Sequence, residues 1–273
     1  MTKPAEPFAE IVQVLASSTT ARMGAFEALA IILLGTRPEK PRAGLLFVAL
    51  LGGTVAIGCG GGKAEWGSPC HDVVATGSPG LVDDLNDGDN QIPNNDGRQG
   101  GWYTYNDGTA GTQTPAPLAN SDLCQLPSPF APTNGQACTS GSGFASWGAG
   151  MGVSILTGPN CTTCRYNASV YKGVRFTIRG SGISSVLFMV VTLDTLYVRY
   201  GGKCADESVC TDSYKAQVAV TEQPRVVEIP WTSLAQEGWG TPVLFNVQEI
   251  TNFNWQVPGG TNFNLCVDDV SLY

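Results

Sequence analysis

The segment "GVRFTIRG" at 173–180 limits the fold more than any other stretch, because Val174, Phe176 and Ile178 alternate strictly with Arg175, Thr177 and Arg179. An apolar-polar period of two belongs to a β-strand with one buried face. Similar runs recur between turn residues: "LVDDLN" at 81–86, "GWYTYN" at 101–106, "SVLFMVVTL" at 185–193, "TLYVRYGG" at 195–202, "AQVAVTE" at 216–222, "RVVEIPW" at 225–231 and "ITNFNWQV" at 250–257, with "FNLCVDDVSLY" closing the chain. No helical periodicity of comparable quality accompanies them. The chain has 273 residues, 34 of them Gly and 17 Pro, with 14% charged residues. About nine short strands separated by Gly and Pro loops, in one unit of roughly 190 residues, predict an all-β jelly-roll β-sandwich over 81–273.

Charge excludes one class of partner. The formal net charge is -8 and the sequence pI about 4.6, so counterion release from phosphates supplies no affinity and no nucleic acid is expected as a partner. The single histidine, His71, lies before the strand-rich region, which therefore lacks the commonest general base and metal ligand.

Residues 43–58, "AGLLFVALLGGTVAIG", follow Arg37, Lys40 and Arg42 and end immediately before Cys59. A basic run followed by a short apolar run has the form of a signal sequence, too short and too glycine-rich for a membrane-spanning helix. The small residue before Cys59 resembles the lipobox of bacterial lipoproteins, in which the cysteine becomes lipidated, although Ala56 stands where such motifs usually carry Leu. This implies a chain tethered to a membrane through a lipid on Cys59, in the cell envelope at the outer membrane or cell surface. Ordinary signal cleavage and secretion is the alternative. A second apolar stretch, "ALAIILL" at 28–34, puts the signal unusually deep, as if translation started at Met23 or later. Residues 1–58 are therefore expected to be an extension and signal peptide, and the Gly, Ser and Pro rich 59–80 a flexible tether.

Beyond Cys59 eight cysteines remain: Cys70, Cys124, Cys138, Cys161, Cys164, Cys204, Cys210 and Cys266. An even number in an exported chain predicts disulfides, with Cys204 and Cys210 of "CADESVC" paired across a short loop. Cys161 and Cys164 have C-x-x-C spacing, but the second ligand pair of a structural zinc site is missing.

The stretch "WYTYND" at 102–107 combines large rings with polar edges. A sugar ring presents an apolar face on which Tyr or Trp stacks, and hydroxyls that Asn or Asp can bind. On a strand Trp102 points to one face and Tyr103 and Tyr105 to the other. Trp102 is expected to be core or support, with Tyr103, Tyr105, Asn106 and Asp107 either facing a ligand or packing inside. Trp147 and Trp239 carry the same ambiguity, and Trp255, in an alternating strand, is expected in the core. A glycosidase needs two carboxyl groups about 5–10 Å apart, yet Asp107, Asp194, Glu222, Glu228 and Glu237 stand singly. "GSGFASWG" is not a nucleophile elbow and has no histidine downstream.

Taken in order, "LVDDLNDGDNQIP", "GGWYTYNDGT", "ACTSGSGFASWGAGMGV", "NASVYKGVRFTIRG", "VVEIPWTSLAQEGWG" and "FNLCVDDVSLY" resemble the galactose-binding-like jelly-roll modules, nearest to family eleven carbohydrate-binding modules and related domains of myxobacterial lipoproteins. The resemblance spans about residues 80–273. It implies a non-catalytic module that binds a polysaccharide or other glycan on a sheet face or loop rim. It also implies a structural calcium joining the first and last strands, held by Asn86 or Asp87 together with Asp268 or Asp269, residues whose hard oxygen donors suit that ion. A surface scaffold or adhesion lipoprotein without sugar binding and a glycoside hydrolase or cellulase accessory protein are the alternatives.

Overall fold

The computed structural model describes residues 73–118, 132–158 and 163–273. These residues form thirteen strands: β1 (Val73–Val74), β2 (Leu81–Asp83), β3 (Trp102–Asn106), β4 (Thr112–Thr114), β5 (Ala137–Ser142), β6 (Ala149–Ser154), β7 (Tyr166–Asn167), β8 (Gly173–Ser181), β9 (Ser185–Thr192), β10 (Tyr214–Ala219), β11 (Arg225–Pro230), β12 (Ile250–Val257) and β13 (Phe263–Leu272). Helical structure among the described residues consists of single 3-10 turns.

The strands divide into two sheets. In the first, β3, β6, β12, β9 and β10 are neighbours in that order, with β7 and β1 added at the end of β12. The second runs β4, β5, β13, β8 and β11, and β2 pairs with the far end of β13. Consecutive strands are paired only as β4–β5 and β9–β10. Elsewhere, apart from β6 to β7 within the first sheet, the chain crosses from one sheet to the other, which makes the sandwich a jelly roll.

The alternating faces meet in the middle. Phe176 of β8 lies 5.1 Å from Phe188 of β9 and 5.2 Å edge-on from Trp255 of β12, which itself stacks on Trp102 of β3 at 5.6 Å between ring centroids. Trp102 and Trp255 are buried, as their alternation predicts. Such offset and edge-on ring pairs add to the burial of large apolar area.

Beyond the strands β4 to β7, which lie in segments without a strand period, two segments differ from the sequence reading. Residues 195–202 form no strand: Val198–Tyr200 is a 3-10 turn closed by Gly201 at φ 92°. The Arg199 guanidinium lies 4.2 Å from the Tyr197 ring centroid and 5.0 Å from that of Tyr200. These local contacts and the nearby Cys204–Cys210 disulfide stabilise a compact loop, so apolar alternation there does not mark a sheet. The second segment is 73–80, expected as tether. Here β1 pairs with β7, Ala75 is buried, and Thr76 donates to Asp96, so these residues belong to the sandwich. Cys59 lies outside the described residues.

Candidate functional site

The outer face of the first sheet is set by what its strands bury. On β3, Trp102 and Thr104 point inward, so Tyr103 and Tyr105 point outward. On β6, Ala149, Met151 and Val153 fill the core, leaving Gly150 and Gly152 outward. On β12, Phe253, Trp255 and Val257 are core residues, and Asn252, Asn254 and Gln256 face out. Registration places Tyr103 beside Gly152 and Tyr105 beside Gly150, with Asn254 and Gln256 on the far side of the same glycines.

The glycines form the floor on which the phenols lie. A Cβ at Gly152 would sit 2.7 Å from the Tyr103 hydroxyl, and one at Gly150 2.6 Å from that of Tyr105. The Tyr103 hydroxyl donates to Asn254 Oδ1 at 2.6 Å and accepts from Asn252 Nδ2 at 3.0 Å. Asn252 is also held by Ser154, at 3.0 Å. Tyr105 lies 6.1 Å from Tyr103 and 5.9 Å from Trp147 between ring centroids, and Trp147 is 43% exposed. The Tyr105 hydroxyl is covered and has no partner among the described residues. Burial holds both phenols far above their usual range, so they are neutral hydroxyls at any physiological pH.

Tyr103, Tyr105 and Trp147 are therefore brought together. Asn106 and Asp107 are not. The Asn106 side chain donates to Gln113 at 3.2 Å and accepts from Gly108 N–H at 3.0 Å, because it shares the inward parity of Trp102 and Thr104. Asp107 accepts the Ser146 and Gly148 N–H groups at 2.9 and 3.0 Å and the Thr109 hydroxyl at 2.6 Å. Burial opposes ionisation of Asp107, but these hydrogen bonds outweigh it and bring its carboxyl down to about 2. Asp107 thus pins the loop that carries Trp147. Sequence reasoning missed Asn252, Asn254, Gln256 and the glycine floor; "AGMGV", with glycine at alternate positions beside core residues, was the available signal.

The acidic residues proposed for calcium occupy one rim of the second sheet. A register shift in β13 between Asp268 and Ser271 puts Asp269 at φ 50°, as at a bulge. Asp268 accepts from the Asp269 N–H at 2.7 Å and from Gln136 at 3.4 Å. Burial and then the neighbouring charges of Asp269 and Asp84 push its carboxyl pKa up, a crowding of anions that a cation would relieve. Asn86 Oδ1 approaches Gly135, whereas Asp87 accepts the Asp89 N–H within its own turn. Among the described residues no three of His, Cys, Asp and Glu gather at metal-ligand spacing, so a calcium here would need amide and carbonyl oxygens to complete its shell.

Of the other carboxylates, Asp194 shares Lys203 with Glu249, Glu237 shares Lys215 with Asp212, and Glu228 pairs with Arg175. Disulfides join Cys204 to Cys210 and Cys138 of β5 to its cross-strand neighbour Cys266 of β13.

No family model matches the chain, and no curated protein matches it. Among solved structures it is similar to a family 11 carbohydrate-binding module of a cellulosomal cellulase of Clostridium thermocellum, at 14% identity and a TM-score of 0.42 over 70% of this chain and 92% of that one. It is also similar to the N-terminal cellulose-binding domain of β-1,4-glucanase C from Cellulomonas fimi (19% identity, TM-score 0.31, 63% and 88% covered). A family 29 carbohydrate-binding module matches at 11% identity and a TM-score of 0.35, with 70% and 86% covered.

Proposed function

We propose that the protein is a glycan-binding module that uses the outer face of its first sheet, exported and held at the cell envelope by a lipid on Cys59. One observation carries the binding reading: Tyr103, Tyr105 and Trp147 lie together beside Asn252, Asn254 and Gln256 on a floor of two glycines. Rings offer flat apolar area for the C–H face of a sugar, and amides supply both donors and acceptors for its hydroxyls. Because the Tyr105 hydroxyl has no partner among the described residues, turning it towards a ligand hydroxyl breaks no hydrogen bond with them. The chemistry offered is recognition by stacking and neutral hydrogen bonds, and it suits an uncharged polysaccharide.

The test is retention of the purified full chain in native gels containing soluble β-glucan, mannan, xylan or galactan. At least one polysaccharide should retard the wild type, and Tyr105→Ala and Trp147→Ala should each weaken that retention by about tenfold, the scale of a lost aromatic anchor. Absence of retardation by every polysaccharide would favour a scaffold or adhesion role, and release of reducing ends would mark a hydrolase. The anchor is tested separately, since Cys59→Ala should move the protein from membranes to the soluble fraction. A mature N-terminus that lacks a lipidated Cys59 would overturn that half of the proposal.

A further inference from the structure

Registration carries the Tyr103 row across the whole first sheet. Tyr103 pairs with Gly152, Gly152 with Asn254, Asn254 with Met189, and Met189 with Lys215. Met189 is outward because Phe188 and Val190 fill the core, and Lys215 because Tyr214 and Ala216 pack inward. At the end of this row stands Trp239, 51% exposed, with its ring centroid 5.8 Å from the Lys215 ammonium.

An exposed tryptophan is ordinary unless something holds it in place, and here its loop is held from beneath. The Asp212 carboxylate accepts the N–H groups of Glu237, Gly238 and Gly240 at 3.1, 2.8 and 3.2 Å. Lys215 pairs with Asp212 at 3.3 Å and Glu237 at 3.1 Å, and Glu237 accepts the Trp239 indole N–H at 3.1 Å. One ammonium is shared by two carboxylates under the ring, which leaves the cluster with a net negative charge. The effect is to fix an aromatic plate, which a ligand can use without ordering the loop, while leaving Lys215 no free charge to select an anionic sugar.

We infer that Trp239 is the second aromatic end of the same binding face, opposite Trp147, and that the face takes an extended neutral glycan lying across all five strands rather than a mono- or disaccharide. This rests on the glycan reading above. Four strand intervals of ~4.8 Å give a path of about 19 Å, the length of a chain of about four pyranose units. Asn254 and Gln256 meet the middle of that chain, with the half-buried Leu187 beside Gln256 as apolar area and Met189 buried beneath the face.

Calorimetric titration of the full chain with cellobiose and cellohexaose, and with mannobiose and mannohexaose, decides the matter. In the series that binds, the hexasaccharide should bind at least about tenfold more tightly than the disaccharide. Trp239→Ala should remove about that tenfold and leave the disaccharide affinity unchanged. A Trp239→Ala protein that is folded and binds hexasaccharide like the wild type overturns the inference while the site at Tyr105 and Trp147 stands. A wild type that binds neither series and is retarded by none of the four polysaccharides overturns the glycan reading and this inference with it.

Discussion

A methyl group at position 152 would lie 2.7 Å from the Tyr103 hydroxyl and collide with the Asn254 amide. The glycine is required here for space, because a phenol crosses directly over the neighbouring strand. Gly152→Ala is therefore expected to push Tyr103 and Asn254 off the face, costing about 1–3 kcal/mol of stability as overpacking and most of the polysaccharide retention. Native-gel retention alongside a melting curve checks this, and full retention would remove Tyr103 from the site. The same residues set a pH expectation. Burial pushes both phenols well above their usual value, and Asn252, Asn254 and Gln256 do not titrate, so affinity should stay flat from about pH 5 to about pH 9. A titration series that showed a midpoint within that range would point to a different set of contacts.

At the scale of elements, the connection between β2 and β3 is tied down by a buried charge network. The Arg98 side chain is fully buried and donates to the Tyr166 hydroxyl and to the carbonyls of Pro79 and Leu81 at 2.7–2.8 Å, and it lies 3.6 Å from Asp96. Asp96 accepts from Thr76, Tyr166 and Tyr171. Burial works against its charge, but these hydrogen bonds prevail and bring its carboxyl from 3.8 down to about 2. A carboxyl depressed in the folded state contributes stability above its unfolded pKa and loses it as the pH falls through the folded value. The contribution should therefore be complete above about pH 4 and disappear towards about pH 2, an amount of up to about 2 kcal/mol. Chemical denaturation of wild type and Asp96→Asn at both pH values measures it, and equal acid sensitivity of the two would remove Asp96 from the account. Asp83 works in the opposite sense. Burial raises its carboxyl pKa to about 6, so its ionisation weakens the fold as the pH rises from about 4 to about 6, although Trp102 Nε1–H and the Leu85 N–H both donate to it.

For the whole molecule, the question is what joins β2, near the start of the sandwich, to the last strand. β2 pairs with β13 at only Asp83–Val270 and Leu81–Ser271, and the acidic rim of Asp84, Asp268 and Asp269 lies at that junction. Calcium there would bind the folded chain alone and stabilise it by mass action. We expect the melting temperature to rise in millimolar calcium relative to chelator, and Asp268→Asn to abolish the difference. Superimposable curves with calcium and chelator would remove the ion from the account.

The strands that alternate cleanly, β8, β11 and β12, were legible from sequence because a half-buried strand writes its own period into the chain. Trp102 and Trp255 as core residues, the pairing of Cys204 with Cys210 and the placing of Tyr103 and Tyr105 on the face opposite Trp102 were legible for the same reason: each depends on residues close together in the chain, whereas that this face looks outward was not. β5 and β6 were not, since "ACTSGS" and "AGMGVS" carry too little apolar contrast to show a period, and their burial comes from strands distant in sequence. The candidate site divides the same way. Its aromatic residues on β3 could be named from the chain, but Asn254 lies 151 positions from the Tyr103 it binds. Trp239 reaches the same face through a loop fixed by Asp212. Such pairings follow from strand order and register, which the folded sandwich alone decides, because the hydrogen bonds that set them join segments with no local signal of one another.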